Sequence, residues 1–105
     1  MGLTRPFIES VKERAATDPD FRAGMLAEAS ECFLNGEADV AKLLLRDYVN
    51  ATIGFQELAD VVDKNAKSLM RMLSASGNPR ADNLSTLIAT LKEYEGVDLH
   101  VEVGR

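Results

Sequence analysis

The chain has 105 residues, of which 46% are hydrophobic and 28% are charged, and its formal net charge is −5 at pH 7. These values are typical of one soluble globular domain, and no stretch approaches the roughly 18 apolar residues of a membrane-spanning helix. The N-terminal residues carry charges where a signal peptide needs an apolar segment, so we expect a cytoplasmic protein. The only cysteine, Cys32, has no partner for an internal disulfide, and we expect a buried thiol.

Two helices are predicted before residue 37. The first spans residues 6–16, and its apolar positions, four residues apart, are Phe7, Val11 and Ala15. The second begins after Asp18-Pro19, because aspartate is an N-capping residue and proline suits the first helical position. We expect it to end at Asn35-Gly36. Its apolar stripe comprises Phe21, Met25, Ala29, Cys32 and Phe33.

A third helix and then a pair of short helices are predicted in the middle of the chain. The third spans residues 37–50, with an apolar face of Val40, Leu44 and Tyr48 that Leu43 and Leu45 broaden. Residues 54–79 predict a short helix, a tight break, a second short helix and a turn. This is the layout of a helix-turn-helix, which places its second helix in the major groove of DNA. The predicted facing apolar residues are Leu58, Ala59 and Val62 on the first helix and Leu69, Met72 and Leu73 on the second.

The other face of this pair carries polar side chains. Between Lys64 and Arg80 there are four basic residues and no acidic residue, although the whole chain is acidic. Lysine, arginine, serine and asparagine donate hydrogen bonds to phosphates and base edges, and Met70 can contact a thymine methyl group. The predicted DNA-binding residues are Gln56, Lys64, Asn65, Lys67, Ser68, Met70, Arg71, Asn78 and Arg80. An alternative is that this is an ordinary helix pair of a small bundle, with an acidic composition that serves solubility alone.

A last helix and a strand are predicted at the C-terminal end. Asp82 is the expected N-cap of a helix that contains Leu84, Leu87, Ile88 and Leu91 and ends near Glu95-Gly96. Apolar and polar residues alternate over residues 97–103, a pattern that predicts a strand. Because a lone strand leaves its backbone groups unpaired, we expect it to pair with a second copy or with another chain. The predicted contacts with this second copy or other chain are Val97, Leu99, Val101 and Val103. A frayed tail is the alternative.

The middle of the chain resembles a known family. The residues that carry the resemblance are Gly54-Phe55, Leu58-Ala59, the run Leu69-x-x-x-Leu73-Ser74-x-x-Gly77-Asn78-Pro79, and Leu84, Leu87 and Leu91. Residues 37–103 resemble the phage-repressor and Cro-like (XRE-like) helix-turn-helix class, and within it the antitoxins of addiction modules with RelE/ParE-like toxins. In the turn, Asp63 and Lys64 replace the usual glycine and aliphatic residue, and aspartate tolerates a left-handed backbone. Phe55 stands where the class tends to have glutamine, and Gln56 follows.

The resemblance implies an all-α, phage-repressor-like helix-turn-helix bundle with extra N-terminal helices and a short C-terminal strand. The expected division is an N-terminal extension (1–36), a DNA-binding domain (37–96) and a tail (97–105). It implies a bacterial homodimeric repressor that binds a two-fold operator in double-stranded DNA and neutralises a small basic toxin. Residues 9–39 fit such a partner, because they hold eight acidic and three basic residues, with Phe7 and Ile8 as apolar anchors.

Two other functions remain open at this point. One is a stand-alone transcription regulator without a toxin, and the other is a helical adaptor that does not bind DNA. We expect no enzyme, because His100 is the only histidine and no phosphate-binding glycine loop is present. We also expect no metal, no cofactor and no membrane partner.

Overall fold

The computed structural model describes residues 5–105, with side chains from Ser10 onward, so Phe7 and Ile8 as anchors lie outside the described side chains. Six helices follow one another: α1 (Arg5–Thr17), α2 (Pro19–Leu34), α3 (Ala38–Ala51), α4 (Phe55–Val62), α5 (Ala66–Met72) and α6 (Ala81–Glu95). The predicted all-α class is confirmed. None of these helices has both the length and the apolar character that crossing a membrane requires.

The ends of α2 form as the local sequence predicts. The Oδ1 atom of Asp18 accepts a hydrogen bond of 3.1 Å from the backbone N–H of Phe21, which satisfies a free donor of the first turn. At the other end Asn35 donates its N–H to the carbonyl of Glu31, and Gly36 adopts a φ of 84°. This left-handed conformation turns the chain sharply, so that α3 packs back along α2.

Asp82 is not the N-cap of α6, contrary to the sequence-based expectation. The helix begins at Ala81, and Arg80 takes the capping position without a capping side-chain bond. The backbone of Arg80 is extended directly after Pro79, so the first turn starts before Asp82 is reached. Asp82 therefore lies within that turn, where a negative charge still favours the helix N-terminus. The predicted end is confirmed, because Gly96 is left-handed with a φ of 75°.

One hydrophobic core joins the helices, and α3 lies at its centre. Helix α3 packs against α1, α2 and α4, while α5 packs on α4 and α6 on α2. The largest completely buried side chains are Leu26, Leu45, Tyr48, Val49, Leu58, Leu69, Leu73 and Leu91. These residues belong to α2, α3, α4, α6 and the α5 segment, which ends directly before Leu73. The short α4–α5 pair is thus anchored on the same core as the long helices.

The predicted apolar face of α3 is confirmed for Leu45 and Tyr48, which are completely buried, and for Leu44, which packs against the core, but it is wrong for Val40 and Leu43. Val40 and Leu43 remain 44% and 42% exposed, whereas Ala41, Leu45 and Val49 are buried. Helix α3 has leucine or valine on several sides, so its periodicity does not select one face. The buried face of α3 is determined by the elements that contact this helix, among them α2 and the loop that follows α5.

The predicted C-terminal strand is also wrong, since residues 5–105 contain no strand. The N–H of Val97 bonds to the carbonyl of Lys92 and completes the end of α6, and the Val97 side chain packs against the core. Beyond it the chain has no regular secondary structure, Leu99 is partly buried, and Val101 and Val103 are largely exposed. An alternating sequence forms a strand only where another strand accepts its backbone hydrogen bonds, and this part of the chain has no such neighbour.

Candidate nucleic-acid interface

The turn between α4 and α5 is three residues long and depends on Asp63. Asp63 has φ 54° and ψ 48°, the left-handed conformation that its sequence position predicted, and no other non-glycine residue described here has a positive φ. The N–H of Lys64 then donates back to the carbonyl of Ala59 over 3.0 Å. This bond completes the C-terminal end of α4, and α5 begins two residues later.

Asn65 begins α5 and uses its side chain to do so. Its Oδ1 atom accepts hydrogen bonds from the backbone N–H groups of Lys67 at 2.8 Å and Ser68 at 3.4 Å. The oxygen is therefore committed to capping, and only the amide NH₂ group can reach an external ligand. Asn65 was predicted as a DNA contact, and the structure gives it a positioning role as well.

The two faces of the pair separate apolar from basic side chains. Leu58, Ala59, Leu69 and Leu73, all predicted as facing apolar residues, are buried. The outward residues of the turn and α5 are all exposed, and they are Lys64, Lys67, Ser68, Met70 and Arg71. Burial on one side leaves the lysine, serine and arginine donors exposed, together with the apolar side chains of Met70 and Val61.

Three further predicted contacts flank this surface in the sequence, and all are exposed. Gln56 is the second residue of α4, and Asn78 and Arg80 lie in the loop that connects α5 to α6. The Nε atom of Arg80 is 3.4 Å from Oδ1 of Asp82, but both side chains are in solvent. Such a pair contributes little to stability, so a phosphate can replace the carboxylate at small cost.

Helix α4 places negative charge beside the basic surface. Glu57, Asp60 and Asp63 recur every three residues and are exposed, the first two on α4 and the third in the turn directly after it. A count of charges along residues 64–80 does not include them and so overstates the local positive potential. Their regular spacing on a short predicted helix is the sequence signal that would have revealed this.

Sequence reasoning missed Lys42, which is buried in α3. Only 4% of the residue is exposed, and its Nζ atom donates to the carbonyl oxygens of Ser74 at 3.1 Å and Gly77 at 2.7 Å. Oδ1 of Asp39 lies 3.3 Å away. The spacing of Lys42 in the sequence could have revealed its burial. Lys42 precedes Leu45 by three residues and Val49 by seven, so it falls on the buried stripe of the helix.

Gly77 is required by the close approach of this loop to the end of α5. A Cβ atom at this position would overlap the carbonyl oxygen of Arg71 and lie 2.9 Å from that of Met72. Ser74 adds bonds from its N–H and its hydroxyl to the Arg71 carbonyl, at 3.1 and 2.7 Å. The Leu-Ser-x-x-Gly-Asn-Pro run therefore has a structural explanation, namely a loop that folds tightly onto α5.

A partly buried polar network connects the long helices to one another. The Tyr48 hydroxyl donates to Oε1 of Glu95 at 2.7 Å, and the Nε of Arg22 lies 3.0 Å from both carboxylate oxygens. Arg22 also donates to the carbonyl of Ala15 at 2.6 Å, so the network joins α1, α2, α3 and α6. Burial, together with the neighbouring Glu95, raises the pKa of Tyr48 well above its usual value.

Cys32 is a buried thiol, as predicted, with 9% of the residue exposed. Burial and then the nearby Glu37 carboxylate raise the pKa of this thiol above its usual value. A raised pKa lowers the thiolate fraction at neutral pH, and the thiolate is the reactive species. Cys32 therefore contributes packing to α2.

No protein-family model, curated protein or solved structure matches this chain. The functional conclusion therefore depends on the geometry of the α4–α5 surface and on the chemistry of its exposed side chains.

Proposed function

We propose that this protein is a transcription regulator that binds double-stranded DNA sequence-specifically and inserts α5 into the major groove. The observation that carries the proposal is the orientation of α5. Leu69 and Leu73 are buried on one side of the α5 segment, and Lys67, Ser68 and Arg71 are exposed on the other. The resemblance of residues 37–103 to Cro-like repressors agrees with this assignment, and access to the chromosome implies a cytoplasmic protein.

Each exposed side chain has a chemical role in this proposal. Arg71 reads a guanine through two hydrogen bonds to O6 and N7, and Met70 contacts a thymine methyl group. Lys64 and Lys67 bind phosphates beside the groove, and Ser68 donates to a phosphate or a base edge. Gln56, the Asn65 amide, Asn78 and Arg80 complete the contacts to the DNA backbone on either side of α5.

We propose further that two copies bind a two-fold operator. A recognition helix of seven residues reads only one half-site of such an operator. A second copy is needed for the other half-site, which lies about one turn of the DNA helix away. The candidate contacts between copies are the exposed Val101 and Val103 with the partly buried Leu99, whereas Val97 packs against the core of its own chain. Removal of residues 97–105 should then weaken both dimerisation and DNA binding, which sedimentation and DNA titration measure separately.

DNA binding is tested by selection from a random-sequence duplex library, followed by fluorescence anisotropy on the selected duplex at several salt concentrations. Arg71→Ala should weaken binding by about 1–3 kcal/mol and relax the sequence preference at one position. Lys67→Ala should weaken binding to all duplexes and reduce the salt slope by about one. The matched control is Lys12→Ala, which removes an exposed lysine from α1. Absence of enrichment, or equal losses for Lys12 and Lys67, would contradict the proposal.

A second candidate function is the binding of a basic protein, as an antitoxin would do. Val40 and Leu43 are one helical turn apart on α3 and are exposed, and Leu34 is exposed at the end of α2. The acidic residues Glu31, Glu37 and Asp39 lie on the same two helices and the turn between them. An apolar contact with surrounding carboxylates favours a basic partner, of which a RelE/ParE-like toxin is the example implied by the resemblance.

The partner is tested by co-purification with the product of the adjacent reading frame. Leu43→Asp should abolish the complex without affecting DNA binding, whereas Tyr94→Asp, which changes an exposed apolar residue on α6, should leave the complex intact. If the adjacent product does not bind and is not toxic, a stand-alone regulator is favoured instead.

A further inference from the structure

Lys42 connects α3 to the loop between α5 and α6. Its ammonium group is buried, and its Nζ atom bonds to two loop carbonyls, those of Ser74 and Gly77. Oδ1 of Asp39, whose side chain is 93% exposed, lies 3.3 Å from this nitrogen. The loop is also fixed from its other side, because Gly77 packs directly on the Arg71 and Met72 carbonyls.

Burial of the Lys42 ammonium group is energetically unfavourable in itself. Its transfer out of water costs free energy that only good hydrogen bonds offset, and an apolar residue of similar size would pack there without this cost. What lysine adds is geometry, since one nitrogen holds two carbonyls three residues apart at bonding distance. The segment from Ser74 to Gly77 is therefore held against both α3 and the end of α5.

Resting on the proposed DNA-binding function, we propose that Lys42 is a positioning residue for DNA recognition. It holds the loop in the conformation that brings Asn78 and Arg80 to the phosphates beside the groove that α5 enters. Lys42 does not touch the DNA. Its contribution to affinity passes through Arg80, whose side chain is exposed and has only a weak ion pair with Asp82.

The test is a double-mutant cycle between Lys42→Met and Arg80→Ala, measured on a duplex selected with the wild-type protein. Methionine keeps an unbranched apolar stem and removes the charge and the hydrogen bonds. Each single variant should lose roughly tenfold in affinity, the value of one charge-assisted contact, and should lower the salt slope by about one. The double variant should bind no more weakly than either single variant, because both changes remove the same phosphate contact.

Arg71→Ala provides the matched control for this cycle. Arg71 contacts DNA from α5 itself, so its loss should add to that of Lys42→Met. If Lys42→Met and Arg80→Ala are additive, or if Lys42→Met leaves the affinity and the salt slope unchanged, the positioning role is overturned while the DNA-binding function stands. If the wild-type protein selects no duplex, both proposals are overturned.

A loss of folding in Lys42→Met is separated from positioning by a second variant and a second measurement. Lys42→Arg keeps the charge, but its planar fork cannot hold both carbonyls in the same geometry. Amide hydrogen exchange should become faster at Ser74 and Gly77, whose N–H groups are hydrogen-bonded in the loop, and stay unchanged in α4, with a partial loss of DNA affinity. Equal acceleration throughout the chain would indicate a general stability effect and would contradict the proposal.

Discussion

At the residue scale, the α4–α5 turn depends on the tolerance of one aspartate for a left-handed backbone. Asparagine shares this tolerance, and valine does not. We expect Asp63→Asn to keep the free energy of unfolding within about 0.5 kcal/mol, while Asp63→Val lowers it by about 1–3 kcal/mol. Chemical denaturation measures both.

Asp63→Asn should also strengthen DNA binding. The substitution removes a negative charge next to Lys64, so affinity for the selected duplex should rise, and more at low salt than at high salt. Asp20→Asn, an exposed aspartate on α2, is the control. An equal gain for both variants would mean that net charge alone matters.

Tyr48 should make the protein sensitive to alkaline pH. The unfolded chain releases the tyrosine proton above a pH of about 10, whereas the folded protein retains it because the pKa of Tyr48 is raised. The unfolded state then binds fewer protons, so the stability that Tyr48 contributes is complete below this pH and falls as the pH rises further.

The corresponding measurement compares wild type with Tyr48→Phe by denaturant unfolding at several pH values. At neutral pH the variant should be less stable by about 1–3 kcal/mol, because the charged Glu95 loses the Tyr48 hydrogen bond and keeps only that from Arg22. Above a pH of about 10 the difference should narrow. Tyr94→Phe changes an exposed tyrosine and should show neither effect. A constant difference across this range would contradict the assignment.

At the element scale, capping signals predicted helix ends better than periodicity predicted helix faces. Asp18-Pro19, Asn35-Gly36 and Gly96 mark their helix ends where expected, since capping is a local interaction between a side chain or a turn and the nearest backbone. The face of α3 depends on distant elements, and so does the environment of Lys42. No local pattern in the sequence specifies those contacts.

Substitutions of Asn65 distinguish its effect on the stability of α5 from its effect on DNA binding. Asn65→Asp keeps an oxygen that caps the helix, so the free energy of unfolding should change by less than about 0.5 kcal/mol. It also places a negative charge beside the phosphates, so DNA affinity should fall strongly. Asn65→Ala should show the opposite pattern, with a stability loss of about 1 kcal/mol and a smaller loss of affinity. Parallel losses in both variants would assign Asn65 to capping alone.

At the scale of the whole molecule, the sequence predicted an all-α chain and the outward basic surface of α5, and it failed at the C-terminal tail. The α4–α5 surface was predictable because the apolar and basic positions are encoded within two short helices. The tail was not, because strand formation requires a backbone partner that residues 5–105 do not provide. The acidic residues of α4 were missed for a similar reason. A count of charges over residues 64–80 leaves out residues of the neighbouring helix that packs against α5.

The charges that sum to −5 are unevenly distributed over the molecule. The exposed cations of Lys64, Lys67 and Arg71 lie around α5, and the acidic residues of α1 and α2 lie on other helices. Bound DNA should therefore contact a single face. Nonspecific adhesion should be weak at physiological salt, because most of the surface repels phosphate.

The most direct measurement is an NMR titration of the ¹⁵N-labelled protein with the selected duplex. The largest changes in amide chemical shift should fall in residues 64–80 and around Gln56, and the amides of α1 and α2 should remain unaffected. Addition of salt should reverse these changes. If the largest changes instead fall on α2 and the start of α3, or if the duplex causes none, then α5 is not a recognition helix and the proposed function is wrong.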